Sequence, residues 1–187
     1  MKLIQIEQGT NEWQELRKGK LTATMYRDYL AVHKDIPNVF KISKNKLFMP
    51  IEPNAYMTAG TENEPIIRNN YNLLNDTDYV DRVALYNDSI MASLDGIDTT
   101  SNSLLEIKCT TKQLDLFLLE DTIAFYTAQC EHQLQCSDTD YCILHFASRR
   151  DLTQTLDVII NRGNHEAWLN KCNEILESNY FIERVKK

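Results

Sequence analysis

The chain of 187 residues is 43% hydrophobic and 25% charged, enough apolar material for one core, with no run of about 18 apolar residues that could span a membrane. Its formal net charge of −7 weighs against a partner held through phosphates, although carboxylates gathered around a divalent cation would add to the same sum. Five cysteines without a CxxC pair argue against a disulfide framework and a four-cysteine zinc site; the even spacing of Cys130, Cys136 and Cys142 fits either a metal or iron–sulfur site or, as is commoner for free cysteines, small buried residues.

The first residues contain no apolar run of signal-peptide length, so the cytoplasm is the expected location, that of a host cell if the chain is phage-encoded. "TNEWQELRKGKL" predicts a short helix capped by Asn11, with Gln14 three residues on and Gly19 as its stop. A second helix, "TATMYRDYLAV", begins around Leu21 and Thr22. Residues 33–55 hold three of the four prolines together with Lys34, Lys41, Lys44 and Lys46, and read as an extended loop, either solvated or an arm that touches phosphate. After Gly60, "TENEPIIRNNYNLL" predicts a helix with Pro65 near its first turn, where proline is tolerated.

"DYVDRVALY" and "SIMASLD" then read as strands, followed by a turn at Gly96 and a third strand, "SLLEIKC". "TKQLDLFLLED" and "TIAFYTAQCEHQLQC" are predicted helical, "DYCILHFAS" and "TLDVIIN" as strands, and "NHEAWLNKCNEILESNYF" as a closing amphipathic helix. With no repeat or linker, the expectation is one domain over residues 1–187. The order of elements predicts an α/β fold, a central mixed β-sheet flanked by helices.

Alternation along "SLLEIKC" puts Leu105, Ile107 and Cys109 on one face of the strand and Glu106 and Lys108 on the other. If this strand pairs with the preceding one, Asp95 approaches Glu106, and two converging carboxylates need a proton or a cation between them. Oxygen ligands of that kind suit Mg²⁺ or Mn²⁺. Taken alone, D-x(10)-E-x-K also fits an ordinary hairpin with a Glu–Lys surface pair. Trp13 reads as a core residue; His33, His132, His145 and His165 show no metal-ligand pairing, and His145 reads as structural. Tyr126, Gln129 and Gln133, three and four residues apart, share one helical face.

Five motifs in order carry a resemblance: "WQELRKGKLTAT", "AGTENEP", "SLDG", "LLEIKC" and "YTAQCEHQLQCSDTDYCILHF". Together, over residues 10–147, they resemble the lambda-exonuclease-like (YqaJ-type viral recombinase) nucleases of the PD-(D/E)xK superfamily. Two positions depart from that pattern: Leu94 stands where the family has proline, and Glu131 where relatives often carry a second glutamine. The resemblance implies a restriction-endonuclease-like core. It implies Asp95 and Glu106 as ligands of one or two Mg²⁺ or Mn²⁺ ions, the Ile107 carbonyl as a further ligand, Glu64 completing the site and Lys108 as the catalytic lysine. Arg17 and Thr24 would hold a DNA phosphate, the terminal 5′ one, while Tyr126 and Gln129 line the site from a helix that also presents Gln133.

The implied activity is digestion of linear double-stranded DNA ends from 5′ to 3′, leaving a 3′ strand for a single-strand annealing protein. A homo-oligomer, a trimeric ring threaded by DNA, is implied as well. Two other readings remain at this level: an endonuclease of the same superfamily, and a catalytically inactive binding or inhibitor protein built on the nuclease fold.

Overall fold

The computed structural model describes residues 1–50 and 54–186. At its centre lies one sheet of six strands, β1 (Lys2–Ile4), β2 (Val80–Leu85), β3 (Met91–Asp98), β4 (Ser103–Thr110), β5 (Tyr141–Ser148) and β6 (Thr155–Asn161), in that spatial order. β4 and β5 run parallel, in register from Ser103↔Tyr141 to Thr110↔Ser148, and the other neighbours run antiparallel. The sheet is therefore mixed and flanked by helices, the α/β fold expected from the order of elements. A parallel pair cannot be closed by a tight hairpin, and the crossover here contains helix α4 (Glu120–Ser137).

Side-chain alternation on β4 divides the apolar material in two. Leu104 joins the larger core with Ala128 and Leu134 of α4, Leu30 of α2 (Ala23–His33), and Trp168 of α5 (His165–Glu177). Leu105 and Ile107 point the other way, against Ile67 and Tyr71 of α3 (Ala55–Asn75). Two short helices, α1 (Asn11–Arg17) and α6 (Asn179–Arg184), complete the set. Among the described residues, no helix is long and apolar enough to cross a membrane.

Several boundaries differ from the sequence expectation. Thr10, not Asn11, caps α1, its hydroxyl accepting from the Trp13 amide at 3.3 Å. The next helix is capped by Thr22, which leaves Thr24 exposed in the first turn. Helix α3 begins at Ala55, so Gly60 and Pro65 fall inside it. Pro65 has no N–H to give the preceding turn, a local cost carried by the packing of the helix on the sheet. Residues 51–53 of the proline-rich loop, Pro53 among them, lie outside the described residues; the rest contains one 3₁₀ turn, Lys44–Lys46, and the four lysines are exposed.

The turn expected at Gly96 occurs instead at residues 99–102, where Asp98 Oδ1 accepts from the Thr100 amide at 2.8 Å. Gly96 is a strand residue opposite Leu105. It is needed there because an added Cβ would sit 2.9 Å from Tyr79 Cβ. Residues 111–119, expected to be helical, are irregular: Asp115 Oδ1 takes the amides of Phe117 at 2.9 Å and Leu118 at 3.2 Å, a local turn that competes with helix. The closing helix breaks at Ser178, which caps α6. Strand β1 was not foreseen. The cysteines are free, with Cys130, Cys136, Cys142 and Cys172 buried and Cys109 half-buried.

Candidate active site

The ladder between β3 and β4 stops at Gly96↔Leu105. Beyond that pair, side chains take over the backbone groups the strands leave behind. Asp95 Oδ2 accepts from the Ile107 amide at 2.9 Å, Gln133 Nε2 donates to the Ser93 carbonyl at 3.1 Å, and Arg68 Nη1 donates to the Asp95 carbonyl at 2.5 Å. The opening of the ladder puts two carboxylates, of Asp95 and Glu106, into one wedge between the sheet and α4.

Glu106 is only 1% exposed, although it is a charged residue in a strand interior. A buried carboxylate needs partners, and it has three. Gln129 Nε2 donates to Oε1 at 2.5 Å, Gln133 Nε2 donates to Oε2 at 2.6 Å, and the Lys108 ammonium forms an ion pair with Oε1. The two glutamines sit four residues apart on α4, one turn above the other, which aims both amides at one side chain. Arg27 of α2 fixes the first of them: its Nη1 donates to Gln129 Oε1 at 2.7 Å, so the amide of Gln129 must turn its N–H toward Glu106. Arg27 is held in place by an ion pair to Asp28 at 2.7 Å and by the face of Phe125, 4.3 Å from its guanidinium carbon.

Lys108 lies over the ring of Tyr126, 4.9 Å from its centroid. Burial would push its pKa down, but Glu106 and then Asp95 outweigh this and hold the ammonium well above the ordinary lysine value. Glu64, on α3, pairs with Arg68 at 3.3 Å, and Arg68 also reaches Asp81 at 3.4 Å. The carboxyl of Glu64 is pushed up by burial and then by the negative charge of Glu106. Asp95 is pushed well above the usual carboxylate range by burial, then by Glu106 and Glu64. The three carboxylates thus feel one another electrostatically. They do not form a single ligand shell: among the described residues, no three His, Cys, Asp or Glu side chains stand close enough to hold one ion. The reason is visible in the contacts, since Asp95 is turned to the Ile107 amide and both oxygens of Glu106 are bonded.

Arg17 stacks on the ring of Trp13 at 4.3 Å, and the Trp13 indole donates to Ser93 Oγ at 3.0 Å. Trp13 is accordingly half-buried rather than core. This chain of contacts brings Arg17 to the side of β3 two residues from Asp95. Burial lowers the Arg17 pKa, and no carboxylate among the described residues pairs with it. Tyr126 is half-buried beside Lys108, whereas the amides of Gln129 and Gln133 are both engaged by Glu106. Thr24 shares α2 with Arg27 and is exposed.

The sequence reading passed over Arg27, Arg68 and Ser93. The spacing of Glu64 and Arg68, one helical turn apart, was a legible signal; the Arg27–Gln129 bond joins residues 102 positions apart and left none. A divalent cation fits this site on two counts. The donor set consists of carboxylate and carbonyl oxygens, which suit a hard cation. Gln133 Oε1 is also a buried acceptor without a hydrogen-bond donor among the described residues, a group that a hydrated ion would satisfy.

The fold has solved counterparts. An alkaline exonuclease from Laribacter hongkongensis superposes with a TM-score of 0.67 at 22% identity, over 95% of this chain and 93% of that one. A second structure of that enzyme, in complex with dAMP, gives 0.67 at 21% identity over the same shares, 95% and 93%. A phage-related exonuclease from Haemophilus somnus 129PT gives 0.57 at 16% identity, over 95% of this chain and 88% of that one. At these identities the likeness is one of fold. No sequence relative was found among curated proteins. Residues 12–140, which run from α1 to the edge of β5 and contain the whole wedge of carboxylates, match the YqaJ-like viral recombinase domain, and the chain belongs to that family.

Proposed function

We propose that this protein is a Mg²⁺-dependent deoxyribonuclease, one domain over residues 1–187, that digests linear double-stranded DNA from its ends, 5′ to 3′. The observation that carries the reading is Glu106: a buried carboxylate restrained by two helix amides and an ammonium, with Asp95 beside it. A structural role would not require two carboxylates to share a site that raises the protonation of one of them. The similar L. hongkongensis enzyme was solved with dAMP, and a deoxynucleotide is the product expected here.

Asp95, Glu106 and Glu64, with the Ile107 carbonyl, would hold one or two ions, Mg²⁺ or Mn²⁺, once their carboxylates turn from the Ile107 amide and the Lys108 and Arg68 cations that now engage them. When bound, such an ion lowers the pKa of water and offsets charge on a phosphate. The residues of the chain do the rest. Gln129 and Gln133 keep the Glu106 carboxylate aimed, and Arg27 keeps Gln129 aimed. Lys108, held as an ammonium, orients the attacking water and faces the negative charge that builds on the phosphate. Arg17, stacked on Trp13 and without a carboxylate partner among the described residues, together with Thr24 at the start of α2, receives the terminal 5′ phosphate, and Tyr126 lines the strand's path. By the same resemblance the enzyme acts as a trimeric ring and hands its 3′ strand to a single-strand annealing protein.

The test is digestion in Mg²⁺ of linear duplexes with and without a 5′ phosphate, beside closed circles, with Glu106→Ala as control. Linear ends are consumed and circles persist if the reading holds. Circles cut as fast as linear ends would make the protein an endonuclease. Wild type and Glu106→Ala leaving every substrate intact would return it to a binding role.

A further inference from the structure

The strand that carries Glu106 and Lys108 leads into a second feature. Past Thr110, a cavity of about 790 Å³ opens between the segment after β4 and the β5–β6 turn, lined among others by Lys112, Gln113, Ser148, Arg150 and Thr153. Its walls are tied together. The Arg149 amide donates to the Thr110 carbonyl at 2.9 Å, and the Ser148 amide donates to the Gln154 carbonyl at 3.0 Å.

Two cations stand on this cavity in a chain whose net charge is −7. The Lys112 ammonium donates to Thr122 Oγ1 at 3.0 Å and makes no ion pair with a described residue. The exposed Arg150 guanidinium has no partner among the described residues. Asp151, the acidic residue on the rim, spends Oδ1 on the amide and hydroxyl of Thr153, at 3.0 and 2.6 Å. The cavity therefore offers positive charge and hydroxyl groups.

Its position decides what anion it suits. Thr122, Tyr126, Gln129 and Gln133 form one line down α4, and along that line they meet Lys112, Lys108 and Glu106 in turn. Lys112 is four residues beyond Lys108, at most about 14 Å along an extended chain. That distance corresponds to a few nucleotides of duplex, whose rise is about 3.4 Å per step. We propose that this cavity is a second phosphate subsite, in which Lys112 and Arg150 bind a backbone phosphate of the DNA a few nucleotides from the bond that is cut.

The subsite rests on the nuclease reading, and the experiment separates the two. A labelled duplex is titrated with protein in chelator, across a salt series, by fluorescence anisotropy, and the same duplex is digested in Mg²⁺. Arg150→Ala, which breaks no contact within the described protein, and the pair Lys112→Ala with Arg150→Ala should weaken binding. The slope of log K against log salt should fall by about one for each cation removed. Lys112→Arg and Arg150→Lys should keep the slope. So should Lys171→Ala, on α5, whose ammonium is already paired with Glu174 of the same helix and with Asp35. Wild type that binds and digests DNA, with Arg150→Ala and the double variant unchanged in affinity and slope, overturns the subsite and leaves the nuclease. An equal loss in Lys171→Ala also overturns it, because the effect would then be one of net charge. Wild type that neither binds nor digests DNA overturns both.

Discussion

At the scale of single residues, the site is an exercise in restraint on one carboxylate. Glu106 could be located by its spacing from Asp95 and Lys108, but not its surroundings, because those come from residues 23 and 27 positions away on α4. Replacing Glu106 with Gln keeps the shape and removes the charge. Digestion should be lost and Mg²⁺ binding weakened, as measured by calorimetry beside the rate. Arg27→Lys tests the indirect role. A lysine cannot both fork onto Asp28 and hold Gln129 Oε1, so kcat should fall about 10- to 100-fold, the usual range for a residue behind a ligand. More Mg²⁺ should be needed while KM for DNA stays near its wild-type value. A fall in thermal stability without that change in Mg²⁺ demand would make Arg27 a packing residue only.

Secondary-structure elements were legible where the pattern was periodic and misread where it was imitated. Strand alternation found β2 to β6 and placed Glu106 and Lys108 on the correct face, since Leu104 and Leu105 are buried in separate cores. The apolar residues Leu114, Leu116, Phe117 and Leu118 imitate a helical face, yet Asp115 captures the following amides and leaves Phe117 89% exposed. Gly96 looked like a turn because glycine often marks one; here it makes room for Tyr79 across the sheet. Gly96→Ala should therefore cost about 1–3 kcal/mol in a denaturant titration, as overpacking does. It should also impair cleavage, because the displaced strand carries Asp95 next to it.

For the whole molecule, one contribution to stability in acid comes from the core. His132 is fully buried, and Nε2 donates to the Met91 carbonyl at 3.1 Å while Nδ1 accepts from the Trp168 indole at 3.3 Å. Both ring nitrogens are satisfied in the neutral form, and burial pushes its pKa down to about 4. The unfolded chain binds that proton near pH 6.5. The contribution is therefore complete above that value and is lost as pH falls toward 4, by roughly 3 kcal/mol over the window. His132→Gln should flatten this part of the pH–stability curve in thermal melts. An unchanged slope would mean that His132 is not the group being titrated.

The parallel join of β4 and β5 carries a consequence in time. A hairpin such as β3–β4 forms from neighbours in the chain, so Asp95 and Glu106 meet early. The glutamines arrive only when α4, farther along the chain, has packed on the sheet. Until then the acidic pair lacks the two amides, and the Arg27 contact behind them, that restrain it in the finished fold.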